Sequence, residues 1–130
     1  MNPFQQQGAF SWFELITPHT EAAQEFYGQL LGWTLKPGPV GNIPYTVIEA
    51  GGQDIGGMAP PPPEQANMPP AWGVYITVDD VDATAEKAKA LGGQVLVPPM
   101  DIETVGRFSL LQDPHGATFC VIITYSQPGA

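Results

Sequence analysis

The sequence predicts an α+β fold in which two tandem βαβββ modules make a single domain over residues 1–130, and three observations lead to it. First, SWFELITPHTEAAQEFYGQLLGW and AWGVYITVDDVDATAEKAKALGG follow one plan: an apolar run, a turn-like polar step, an alanine-bearing helix pattern and a closing Leu-Gly. Second, each of these stretches is followed by three short β-type runs punctuated by Gly and Pro. Third, 130 residues at 43% hydrophobic content suffice for one compact domain, or for two small modules sharing a core, and not for two independent domains.

The first module is placed at residues 8–58. Phe13 to Thr17 is β-branched and aromatic, and Pro18 ends it. Thr20 is the expected N-cap of the helix, with Glu21 in its first turn beside the positive end of the helix dipole. Ala22, Phe26 and Leu30 recur at helical spacing as the expected apolar stripe, and Gly32 supplies a left-handed stop. GWTLKPGP, IPYTVIEAGG and QDIGGMAP then read as three strands. Gly51-Gly52 suits a hairpin turn, while Gly56-Gly57 leaves room in a strand for a ligand or a facing chain.

Residues 59–71, APPPPEQANMPPA, form a proline-rich linker expected to be semi-rigid. The second module, at residues 72–126, repeats the order. Trp72 to Val78 is a strand, Asp80 an N-cap, Val81 to Leu91 a helix and Gly92 its stop. QVLVPPMDI, GRFSLLQD and ATFCVIITY follow as strands, the last two joined by Asp113-Pro114-His115-Gly116 in a turn order. A four-stranded sheet with a helix on one face leaves the other face to be covered or to meet a ligand. Two such sheets set side by side are expected to curve into a bowl around a pocket.

Lys and Arg total 4 against 13 Asp and Glu, a formal charge of -9, which repels phosphate backbones and anionic lipid, so neither nucleic acid nor a membrane is an expected partner. The single cysteine, Cys120, rules out an intrachain disulfide framework. MNPFQQQGAF has neither the basic start nor the apolar run of a signal peptide, and no apolar stretch reaches membrane-spanning length. A cytoplasmic location is expected.

FYGQLLGW, VDDVDATAEKAKALGG and LLQDPHGATF, in this order and on this plan, resemble the vicinal oxygen chelate superfamily, the group of glyoxalase I, the bleomycin-resistance proteins and the extradiol dioxygenases. The resemblance runs from about Phe10 to Tyr125 and implies the bowl fold. It also implies one divalent metal held from four strand positions, usually by His and Glu. Those positions fall here on Trp12, on or near Gly56, on Gly73 (or Trp72 if the register slips) and on Cys120. Of these only Cys120 has a donor, and one thiolate does not build a His/carboxylate site, so no metal ligand is assigned. His19 and His115 sit in turns beside Pro or Gly.

Strand alternation gives Trp12, Glu14 and Ile16 one face, so Glu14 is expected to point into the bowl as a general acid or base or as the counter-charge of a cationic ligand. Arg107 is expected across the pocket, as partner of Glu14 or of an anionic substrate group. Tyr75 shares a face with Gly73, and Thr118 and Ile122 share one with Cys120, so Tyr75, Thr118 and Cys120 complete the expected lining with Trp12 and Ile16. Trp72 and Phe119 are expected to point back to the helices.

Two functions fit. One is a metal-free small-molecule binder of the bleomycin-resistance type with an acidic, aromatic-lined bowl. The other is an enzyme, a lyase, isomerase or dioxygenase, either metal-free with Glu14 as acid/base or with a non-standard metal site drawn from Glu14, Glu49 or Asp54. No cofactor is expected on the first reading, and a divalent metal stays open on the second. A homodimer is expected for a chain of this length in this group.

Overall fold

The computed structural model describes residues 2–40, 43–63, 66–102 and 105–125. Its elements run β1 (Phe10–Ile16), α1 (Thr20–Leu31), β2 (Thr34–Val40), β3 (Ile43–Ala50), β4 (Gln53–Ala59), β5 (Ala71–Thr77), α2 (Val81–Ala90), β6 (Gln94–Ile102), β7 (Gly106–Gln112) and β8 (Thr118–Thr124). This is the expected α+β class with βαβββ twice over. Residues 64 and 65 of the proline-rich linker and residue 126 of the second module lie outside the described residues. No helix among the described residues is long and apolar enough to cross a membrane. The chain divides into two compact units, Trp12–Gly73 and Met1–Ser11 with Val74–Ala130.

In the unit Trp12–Gly73 the strands lie in the order β2-β3-β4-β1, antiparallel except for the parallel β1–β4 pair. Ala50 pairs with Gln53 across a two-residue hairpin. Its central Gly51 and Gly52 have φ of 59° and 80°, the paired positive angles that only glycine adopts cheaply. One sheet face carries Leu15, Ile48 and Met58, at most 5% exposed, and Ala23, Tyr27, Trp33 and Leu35 pack against them. Each such buried side chain stabilises by about 1.5–3 kcal/mol relative to exposure.

Helix α1 departs from its expected orientation. Ala22 is exposed, Phe26 is 59% and Leu30 62% exposed, and the sheet is met by Ala23 and Tyr27 instead. Both registers are apolar in sequence, and the inward choice goes to the ring with more partners. Tyr27 stacks on Trp33 at 5.5 Å and accepts a hydrogen bond from Trp72 Nε1 at 3.2 Å. Nor is Thr20 the N-cap. The helix begins at Thr20 with His19 in the cap position and no side-chain cap, while the Thr17 hydroxyl accepts from the His19 N–H at 3.1 Å. Gly32 closes the helix in the left-handed region as expected.

In the other unit the order is β5-β8-β7-β6. Asp80 caps α2, its Oδ1 accepting from the Ala83 N–H at 2.9 Å, with Asp82 in the first turn and Lys87 and Lys89 in the last, as the helix dipole favours. Val78, Val81, Ala85, Leu111 and Val121 form the core, with Phe119 and Ile123 against it. Asp113 ties the β7–β8 turn, its Oδ1 accepting from the His115 and Ala117 N–H groups, which hold its carboxyl below the usual range. In β6, Pro98 and Pro99 lie where the pairing with β7 shifts between Val97 and Met100. The buried Ser109 donates there to the Val97 carbonyl at 2.7 Å. Residues before β1 also join this unit: Gly8 and Ala9 exchange backbone bonds with Thr77, Pro3 O accepts from Thr77 Oγ1, and Gln7 Oε1 accepts from the Asp79 N–H.

Candidate functional site

With Leu15, Ile48 and Met58 turned to α1, alternation sends Trp12, Glu14 and Ile16 of β1 and Tyr45 and Val47 of β3 to the opposite face. Trp12, Glu14 and Tyr45 meet there. Trp12 Nε1 donates to Tyr45 Oη at 2.9 Å, and the Tyr45 hydroxyl donates to Glu14 Oε2 at 2.7 Å. All three side chains are half-buried. Burial first, and then the Glu14 charge, push the Tyr45 phenol far above the usual tyrosine range, against the pull of the Trp12 N–H. The phenol proton is thus held on Tyr45 and shared with one carboxylate oxygen. Ile16 flanks this relay on the same strand face.

Tyr45 was not anticipated from sequence. Its signal is the alternation in IPYTVIEA, which puts Tyr45 and Val47 opposite Thr46 and Ile48. That pattern names the face; the reach of Tyr45 over a neighbouring strand is visible only in three dimensions.

The remaining expected residues lie in the other unit. Tyr75 pairs in register with Cys120, is 8% exposed, and has its ring 6.4 Å from that of Phe108. Cys120 is half-buried, and Thr118, on the same strand face, is exposed. Trp72 and Phe119 do turn toward the helices, against Tyr27 and the α2 core respectively.

Arg107 differs from expectation. It pairs with Ile123 on the side of β7 that faces α2, and its Nε and Nη2 donate to Asp82 at 2.8 and 2.9 Å. Nη1 donates to Asp101 at 3.1 Å. The pairing expected with Glu14 is thus replaced by one with two carboxylates of its own unit, because α2 brings Asp82 to that face. The guanidinium holds the Asp82 carboxyl below its ordinary range.

On β4 the resemblance places a metal position on or near Gly56. Gly56 pairs with Phe13 and Gly57 with Glu14, so Gly57 shares the relay's face. Trp12, Gly57 and Gly73 offer no side-chain donor to a hard cation. Glu49 and Asp54 lie 2.9 and 2.7 Å from Lys36 Nζ, whose pKa they raise. Among the described residues no three His, Cys, Asp or Glu side chains come together to hold a metal ion. The donor set therefore does not fit the family's His/carboxylate centre.

A sequence model of the glyoxalase/bleomycin resistance protein/dioxygenase superfamily matches residues 9–121. The chain is 44% identical over 118 residues to "Putative glyoxylase CFP32" of Mycobacterium tuberculosis, covering 90% of this chain and 44% of that protein. It is 35% identical over 130 residues to the anthracycline biosynthesis protein DnrV of Streptomyces peucetius, covering 88% of this chain and 46% of that one. The chain thus spans about half the length of the curated relatives it matches. Among solved structures, methylmalonyl-CoA epimerase from Mycobacterium tuberculosis is similar with a TM-score of 0.69 at 15% identity, over 96% of this chain and 94% of that one. The likeness is one of fold.

Proposed function

Because the chain belongs to the glyoxalase/bleomycin resistance protein/dioxygenase superfamily, we propose that it binds a flat small molecule bearing a cationic or hydrogen-bond-donating group, without a metal, at Trp12, Tyr45 and Glu14. The observation that carries this reading is the relay from Trp12 Nε1 through Tyr45 Oη to Glu14 Oε2. The phenol's one proton is committed to Glu14, so the relay sets a negatively charged carboxylate beside two aromatic rings. Such a surface favours cations over anions, and the net charge of -9 steers in the same direction. The naming of two Streptomyces relatives for anthracycline biosynthesis agrees with a flat aromatic ligand.

Tryptophan fluorescence titration with proflavine, a planar aromatic cation, and with a naphthalene sulfonate, a planar aromatic anion, tests the proposal. Saturable quenching by proflavine alone is expected, weakened by roughly tenfold or more in Glu14→Gln. Equal affinity for the two probes, or no effect of Glu14→Gln, would remove the relay from recognition.

The same hydrogen bond supports the enzymatic alternative, in which Glu14 takes a proton from a bound carbon acid. There Glu14→Gln abolishes turnover and spares binding. A homodimer belongs to the same proposal, supported by the apolar surface that Phe26 and Leu30 leave on α1. Size-exclusion chromatography with light scattering tests it.

A further inference from the structure

The position of Tyr45 depends on a residue that touches it with no side chain at all. Gly57 pairs with Glu14 on β1 and with Val47 on β3. Tyr45 stands two residues from Val47 on the same face, so its ring must cross β4 to reach β1. A Cβ built on Gly57 would fall on Oη, Cζ and Cε1 of Tyr45. The outer half of the ring therefore lies over the Gly57 backbone. Gly57 is not among the glycines with positive φ, so the position calls for empty space and not for backbone freedom.

The second module supplies an internal control. There Tyr75 pairs with Cys120 and Cys120 with Leu110, and Phe108 stands two residues from Leu110 on the same face. By register, Glu14, Gly57 and Tyr45 correspond to Tyr75, Cys120 and Phe108. Where a side chain occupies the middle place, the outer ring has no hydroxyl, and its contact with Tyr75 is ring to ring at 6.4 Å.

We propose that Gly57 is a positioning residue of the ligand site: its missing side chain seats the Tyr45 ring across the sheet, so that the phenol meets Glu14 and sets the orientation of its carboxylate. The functional consequence rests on the ligand-binding reading above; the seating does not.

The test uses spectrophotometric titration of the phenols. The chain has 4 tyrosines, so Tyr45 is isolated as the difference between each protein and its Tyr45→Phe counterpart. In the wild type this difference should show no titration near pH ~10; in Gly57→Ala it should appear there, with proflavine affinity down roughly tenfold. A folded Gly57→Ala protein with the wild-type difference titration overturns the proposal. If Gly57→Ala does not fold, Gly57→Ala with Tyr45→Ala decides. Recovery of the fold places the clash at Tyr45 and supports the seat, and continued failure overturns it. Should the wild type bind no proflavine, the ligand reading falls while the titration still reads the seat.

Discussion

The two modules place three residues in the same register and make opposite use of them. In the first, Tyr45, Gly57 and Glu14 form a polar row in which a phenol crosses a bare strand to a carboxylate. In the second, Phe108, Cys120 and Tyr75 form a row in which the two rings stand 6.4 Å apart, with Tyr75 8% exposed and Cys120 half-buried. The frame thus decides where side chains stand, while the size of the middle residue decides what its neighbours can reach. A duplicated plan can thus seat different contacts at one register, according to whether the middle residue carries a side chain.

The first way to break this comparison is at the cores, where the modules should be alike. Met58 and Leu111 are each 0% exposed, and Met58→Ala and Leu111→Ala should each cost about 2–5 kcal/mol in urea denaturation. A tolerant site in one module would mean that the frames are unequal from the start. A sharper probe is Tyr45→Phe, which makes the first row resemble the second. It should cost about 1–2 kcal/mol by loss of the hydroxyl's two bonds and change the alkaline limb of stability. The folded Tyr45 pKa lies above its unfolded value, so this contribution is whole below about pH 10 and declines as pH rises beyond it. Denaturation midpoints on either side of about pH 10 should therefore diverge in the wild type and converge in Tyr45→Phe. The smallest contrast is between the helices. Asp80→Ala should lose about 1 kcal/mol with its cap, whereas His19→Ala, at a position without a side-chain cap, should stay within about 0.5 kcal/mol by thermal melting.

Much of the frame was legible because it is written locally. Gly51-Gly52, Gly32, Asp80 and the Asp113–Gly116 turn each act within a few residues of themselves, and the structure uses all of them as expected. What failed depended on a shift of one residue or on a distant partner. Where the expected register put Gly73 at the inward place and turned Trp72 toward the helices, the structure agrees, with Trp72 bonded to Tyr27 on α1 and Trp12 in the relay on the other face. A one-residue slip reverses a strand's faces, and the same slip separates Gly56 from Gly57. On α1 the apolar stripe was read one position early because Phe26 and Tyr27 are both suitable, and only Trp33 and Trp72 break the tie. Arg107 went to Asp82 and Asp101, partners that a search for pocket charges does not bring forward. Glu14 was singled out as an acid in an apolar strand; the phenol that bonds to it, Tyr45, was not foreseen.

β2 and β6, each at one end of its unit's strand order, carry Pro37 with Pro39 and Pro98 with Pro99. A proline has no backbone N–H to offer a further strand and is tolerated in sheets chiefly on edge strands or at bulges. Self-propagating cross-β growth, the route by which exposed sheet borders nucleate amyloid, is therefore disfavoured at these two strands. A concentrated solution should form no fibrils seeded at β2 or β6.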